Sequence, residues 1–249
     1  MGVRDDGIAR EETTMGSFHL GVPPWLVQWV KDHTEIRHAV ETGTFQGESA
    51  ALLAERLGQC TSIEISPMYA ERARQRFADR SDITIVEGDS RRALGELCAE
   101  LPAPAVFWLD GHWSGGDTGG GAAPCPVLEE IDAIIAAGRS GDVIVVDDAR
   151  LFGIGHDLDP DMQHYPRLIT LLSHLEAAGG ITYVLDDVVV CVPPELSRSF
   201  MMVHADPHLR QRLILATMWP DIERLGPPRR DARRLLAAIR RRLRSRLTP

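Results

Sequence analysis

Short apolar runs alternate along this chain with longer segments whose apolar positions recur every three or four residues. The runs at 39–41, 62–65, 83–87, 105–109 and 142–146 read as strands. Between and after them, 47–57, 67–80, 91–100, 126–137 and 166–177 read as helices. That alternation is the signature of βαβ units. The strands do not alternate polar with apolar, so both faces of their sheet must be covered. Right-handed crossovers then make a parallel, doubly wound sheet.

Two flanking regions complete the pattern. Pro23 and Pro24 open a helix in which Trp25, Leu26, Trp29 and Val30 form one apolar stripe. After Gly179 and Gly180, the runs 181–185 and 188–192 are split by Asp186 and Asp187 and read as a hairpin, bringing antiparallel pairing to the edge of the sheet. SFMMVH, ending at His204, reads as a further strand, and HLRQRLILATMW, ending at Trp219, as a helix. GPP at 226–228 marks a boundary. Three parts are expected: a cover segment with its helix over 1–35, the main domain over 36–223, and a basic helix or tail over 224–249. No internal repeat is visible.

The 44% hydrophobic fraction can fill a core, which excludes a wholly disordered chain. No apolar stretch reaches the length of a spanning helix, and the N-terminal MGVRDDGIAREETTMG lacks the apolar core of a signal peptide. Cys60, Cys98, Cys125 and Cys191 are widely spaced, as expected of reduced thiols in a cytoplasmic protein. Charge is divided unevenly. Residues 224–249 hold ten arginines and one acid, Asp231, whereas the remainder carries a net −18. The acidic part makes nucleic acid an unsuitable partner. The basic tail suits an anionic membrane surface, an acidic protein partner or the acidic part of its own chain, or it is a solvated extension. A homo-oligomer is compatible with the apolar helices.

In doubly wound sheets, ligands bind beyond the carboxyl ends of the strands. Five successive strand ends carry acids here: Glu41, Glu64, Asp89, Asp110, and Asp147 with Asp148. The first is followed by a glycine turn, ETGTFQGES, in which Gly43 and Gly47 either let the backbone approach a ligand or only close the turn. It is not a dinucleotide fingerprint, because Phe45 occupies the second glycine position. Glu64 suits the two hydroxyls of a ribose. Asp89 with Ser90 either sits beside an adenine or caps the following helix. Together these positions point to an adenosine-bearing cofactor without a diphosphate.

The ordered set VETGTFQG, SIEIS, EGDS and FWLDG resembles the class I S-adenosylmethionine-dependent methyltransferases over residues 36–192. Within that family the resemblance is greatest to metal-dependent O-methyltransferases of small molecules, among them enzymes acting on sugars and catechols. TTMGS and the helix after it resemble the N-terminal cover of the sugar-type enzymes. The resemblance implies a Rossmann-like α/β fold and assigns a cofactor pocket. Glu41 would face the methionine ammonium, Gly43 and Gly47 the methionine and ribose, Glu64 the ribose hydroxyls, and Asp89 with Ser90 the adenine. Asp110 would border the same pocket. Asp110, Asp147 and Asp148 match the three acidic metal positions of the sugar-type enzymes.

Chemistry supports such a metal independently. Three carboxylates converging in one cleft need a cation or strong donors, and an all-oxygen set favours Mg²⁺, with Mn²⁺ or Ca²⁺ as alternatives. His112, two residues after Asp110, is the candidate general base. The sugar-type pattern has Asp there, so His112 could equally bind substrate or metal. His156 is its rival, Asp117 a weaker one, and Trp113 a candidate wall of the acceptor pocket. Loops following Asp110 and Asp148 are expected to cover the acceptor. The expected reaction is O-methyl transfer to a hydroxylated small molecule such as a sugar. The rivals are a nucleotide-dependent oxidoreductase or sugar-modifying enzyme on a similar sheet, and a non-catalytic cofactor- or partner-binding domain.

Overall fold

A computed structural model describes residues 21–112, 125–153 and 164–205. Pro24–His33 forms α1, held in register by Pro at its first turn. Then follow β1 (His38–Thr42), α2 (Glu48–Leu57), β2 (Gln59–Glu64), α3 (Pro67–Arg76), β3 (Ile83–Glu87) and α4 (Ser90–Glu100). The second half comprises β4 (Val106–Leu109), α5 (Val127–Ala136), β5 (Val143–Val146), α6 (Ala149–Gly153), α7 (Leu168–Ala177), β6 (Ile181–Leu185), β7 (Val188–Val192) and α8 (Pro194–Ala205).

The strands form one sheet in the order β3-β2-β1-β4-β5-β7-β6. β1 to β5 run parallel, while β7 pairs antiparallel with both β5 and β6. The expected doubly wound α/β sheet with an antiparallel hairpin is therefore present. Strand order reverses between β1 and β4, which opens a crevice at their carboxyl ends.

Side-chain alternation divides the core between the two sheet faces. Val106, Trp108, Val143, Val145, Val188 and Val190 join Trp25, Trp29, Leu53 and Phe200 on one side. Phe107, Leu109, Ile144, Val146 and Val189 join Leu94, Ile131 and Leu171 on the other. The apolar runs lack visible alternation because helices bury both faces.

Two expectations need correction. SFMMVH is not a strand but lies within α8. Phe200 and Val203, three apart, are buried against the side holding Trp25 and Trp29, while Met201 and Met202 face outward. A helical period thus explains the apolar positions that a strand would have split. The helix after β2 stops at Arg76 rather than at residue 80. Beyond Phe77 the chain turns, with Arg80 donating its amide to the Phe77 carbonyl and its guanidinium to both oxygens of Asp82. The segment ending at Trp219, the boundary at 226–228 and the basic tail lie outside the described residues. Among the described residues, no helix is long and apolar enough to cross a membrane. The four cysteines are free and buried.

Candidate active site

The crevice divides into two halves. β1, β2 and β3 deliver the first. Glu41 is buried at the end of β1, and burial pushes its carboxyl up to about 8, against the opposing hydrogen bond from Ser62. The Ser62 hydroxyl donates to Glu41 and lies 2.6 Å from the Thr44 hydroxyl, so a short hydroxyl chain positions the acid. Glu64 is fixed differently. Its Oε2 accepts the Phe45 amide at 2.9 Å and its Oε1 the Ser66 amide at 2.8 Å. A carboxylate oxygen accepts more than one hydrogen bond, so both oxygens retain capacity for a diol.

The glycine turn has a reason of its own. Gly43 has φ +85°, and a Cβ there would lie 2.3 Å from the Asp110 carbonyl oxygen. Gly47 has φ +83°, and its Cβ would lie 2.7 Å from the Phe77 ring. These glycines make room for the protein's own β4 tip and α3 end. Phe45, left-handed at φ 45°, stacks obliquely on Tyr69 at 5.1 Å. With Ile65 and Met68 it presents exposed apolar surface beside Glu64.

Asp89 caps α4, its Oδ1 accepting the Arg91 amide at 3.1 Å, and its carboxylate also takes the Arg91 guanidinium. That guanidinium holds Asp89 below the usual carboxylate range. The capping alternative is therefore present in full. Ser90 turns instead toward Glu130, a buried acid of α5.

The other half comes from β4 and β5. His112 is buried between two carboxylates, with Nε2 2.8 Å from Asp148 Oδ2 and Nδ1 3.7 Å from Asp110 Oδ1. Its ring meets Tyr165 edge-on at 5.7 Å, and Tyr165 meets Phe152 in the same way. Burial, then Asp147 and Asp148, push Asp110 well above the ordinary carboxylate value. Burial and the Asp148 charge raise Asp147 to about 7, and its Oδ1 accepts the Asp148 amide at 2.8 Å. Asp148 goes the other way. Burial raises it, but the His112 hydrogen bond and charge and the Arg150 guanidinium outweigh that effect.

Three residues that the sequence did not disclose belong to this half. Arg150 donates from Nη1 to Asp148 Oδ1 at 2.5 Å and also to Asp187 Oδ2. Asp187, in the β6–β7 turn, accepts the Arg150 amide at 2.9 Å on Oδ1, and its carbonyl accepts the Ala149 amide at 2.7 Å. Glu130 lies beneath Gly111 and near Thr42, raised to about 7 chiefly by burial, and its Oε1 has no hydrogen-bond partner among the described residues. A signal for Glu130 did exist. It sits on the buried stripe of α5 with Val127, Ile131 and Ile134, where an acid is out of place. Arg150 and Asp187, 37 residues apart, carry no such local signal.

The expected metal set Asp110, Asp147 and Asp148 fits an ion poorly. Both oxygens of Asp148 are engaged, by His112 and Arg150. Among the described residues, no three or more His, Cys, Asp or Glu side chains are placed to hold an ion. His156, Trp113 and Asp117 lie outside the described residues. A separate cavity of about 380 Å³ lies at the opposite ends of the strands, lined in part by Ile134, Arg139, Asp142 and Cys191. Its Arg139 is occupied by Asp142 and by the carbonyls of Cys98, Leu101 and Pro102.

No family model matches the sequence. The fold is that of the class I methyltransferases. It resembles a Podospora anserina methyltransferase solved with SAH bound, at 17% identity and TM-score 0.50 over 68% of this chain and 76% of that one. It also resembles a Bacillus cereus O-methyltransferase in complex with SAH, at 19% identity and TM-score 0.50 over 68% and 80%. A Staphylococcus aureus protein assigned as a caffeoyl-CoA O-methyltransferase gives 14% identity and TM-score 0.52 over 68% and 82%. In sequence, 67 residues are 40% identical to the protein-L-isoaspartate O-methyltransferase of Methanoculleus marisnigri, covering 26% of this chain and 30% of that protein. The match thus spans under a third of that relative.

Proposed function

We propose that this chain is an S-adenosylmethionine-dependent O-methyltransferase acting on a hydroxyl of a small molecule, a sugar-like polyol being the class that suits it. What supports the reading is that Glu64, held by two backbone amides, and His112, held by Asp148, follow the carboxyl ends of β2 and β4, the two strands that flank β1. Glu64 takes the ribose hydroxyls and Glu41 faces the methionine ammonium. The exposed Phe45, Ile65 and Met68 supply apolar cover for the adenosine.

In the transfer, the acceptor oxygen attacks the sulfonium methyl, the carbon–sulfur bond breaks, and a methyl ether and S-adenosylhomocysteine result. The acceptor's proton goes to His112. Asp148, held below the usual carboxylate range by His112 and Arg150, accepts Nε2–H, which leaves Nδ1 as the ring atom that takes the proton. When Nδ1 takes the proton, Asp148 stabilises the imidazolium. This reading routes no step through a divalent ion.

Calorimetric titration with S-adenosylhomocysteine, followed by a methyl-transfer assay over a panel of polyols and catechols, tests the proposal. Saturable binding and a methylated hydroxyl are expected. Binding of NAD in place of S-adenosylhomocysteine would assign the crevice to another chemistry.

A further inference from the structure

We infer that the Arg150 guanidinium is the resident cation of the acidic cluster, standing where a divalent ion was expected, and that it ties the β6–β7 turn to the catalytic histidine. The inference deepens the methyl-transfer reading and rests on it for its catalytic meaning. Its ion-binding content stands without it.

The Asp148 backbone is left-handed at φ 55°, unusual for a residue other than glycine. Its own amide donates to Asp147 Oδ1, and the side chain is drawn into contact with His112 and Arg150. Oδ2 meets His112 Nε2 at 2.8 Å and Oδ1 meets Arg150 Nη1 at 2.5 Å. One more bond leads from Arg150 to Asp187, whose other carboxylate oxygen and carbonyl grip the first two amides of α6. Arg150 therefore bridges two carboxylates that would otherwise repel.

Two properties make arginine suitable for this place. Its charge is permanent at any working pH, and a single terminal nitrogen, Nη1, reaches two carboxylates at once. A hard divalent ion would demand several free oxygens in near-octahedral array. Each Asp148 oxygen already accepts a donor, and at Oδ1 that donor is itself a cation, so an ion there would have to displace the guanidinium or bear its repulsion. His112, Asp148, Arg150 and Asp187 form one continuous chain, so the hairpin turn sets the angle of the imidazole. Asp187 and Arg150 are positioning residues in this account.

Titration of the full-length protein with Mn²⁺ alone, followed by electron paramagnetic resonance, tests the inference with no need for cofactor or acceptor. Wild-type protein is expected to show no Mn²⁺ site in the micromolar range. Arg150→Ala, checked for folding by circular dichroism, frees Asp148 and tightens Mn²⁺ binding at least tenfold, and Asp148→Asn in the same background reverses the gain. A micromolar site in wild-type protein that Asp148→Asn abolishes would overturn the inference. So would a folded Arg150→Ala protein with unchanged Mn²⁺ affinity. Should Arg150→Ala fail to fold, the wild-type titration and Arg150→Gln decide by the same criteria. Binding of S-adenosylhomocysteine, measured on the same samples, reports separately on the methyl-transfer reading.

Discussion

The two halves of the crevice hold their acids in opposite ways. On the β1–β2 side, Glu41 and Glu64 are satisfied by neutral donors, a hydroxyl and two backbone amides. On the β4–β5 side, Asp148 is bound to a histidine and an arginine, while Asp110 and Asp147 repel one another. Neutral donors orient an acid without pairing it to another charge, which leaves it open to a cation or a diol. Charged partners couple groups to each other, which suits moving a proton. Under the proposed function the first is the cofactor side and the second the chemistry side.

Replacing His112 breaks the comparison most sharply. His112→Ala removes the proposed base of the chemistry side and leaves the hydrogen bonds of Glu41 and Glu64 in place. Turnover is expected to fall by about 10²–10⁴-fold, the range for a positioned acid–base group. Affinity for S-adenosylhomocysteine should stay within about twofold by calorimetry. Equal losses in both measurements would show that the halves are not separate.

Glu64→Gln is the reciprocal change. It keeps the side chain's size but loses charge and one acceptor where two amides and a diol meet. A hydrogen bond to a charged group contributes about 1.5–3 kcal/mol, so cofactor affinity should fall by about 10–100-fold. Saturated turnover should change far less. A collapse of turnover at full saturation would place Glu64 on the chemistry side.

A third prediction concerns pH. Burial raises Glu41 from 4.5 to about 8, so the folded protein binds its proton more tightly than the unfolded chain does. Stability from this group is complete below about pH 4.5 and is lost as pH rises toward 8, at about 1.4 kcal/mol per unit at the steepest. Glu130 and Asp147, each raised to about 7, have the same sign. Urea unfolding between pH 5 and pH 8 should show the decline, and Glu41→Gln should make it shallower. If Glu41 meets the ammonium, cofactor binding at pH 7 releases a proton, visible as a buffer-dependent binding heat that Glu41→Gln removes. A buffer-independent heat would separate Glu41 from the cofactor.

The sheet was legible because every central strand is a buried apolar run, and strand ends such as Glu41, Asp110 and Asp147 follow from chain order alone. The site was legible only where one residue's identity sufficed. Gly43 and Gly47 were recognisable as turn residues, but the atoms they avoid, on Asp110 and Phe77, come from distant segments. Arg150 and Asp187 meet only once the hairpin folds back over α6, so nothing local marks them. Helix α8 was misread because an apolar group of four, Phe200 to Val203, fits either period until its neighbours are known.

Asp89 offers the smallest effect and the finest distinction. It caps α4 and pairs with Arg91, which accounts for its presence without any ligand. Asn is as good a cap as Asp, so Asp89→Asn should change stability by less than about 0.5 kcal/mol, whereas Asp89→Ala should cost about 1 kcal/mol. Neither number speaks to the cofactor, but cofactor affinity does. If the carboxylate also accepts from the adenine amino group, Asp89→Asn weakens binding severalfold while leaving the cap intact, because the amide retains only one acceptor oxygen. If Asp89 serves α4 alone, affinity follows stability, and both stay near wild type in Asp89→Asn. Calorimetry beside thermal unfolding on the two variants separates a cap from a contact, and with it shows whether the neutral-donor side of the crevice ends at Glu64 or extends to β3.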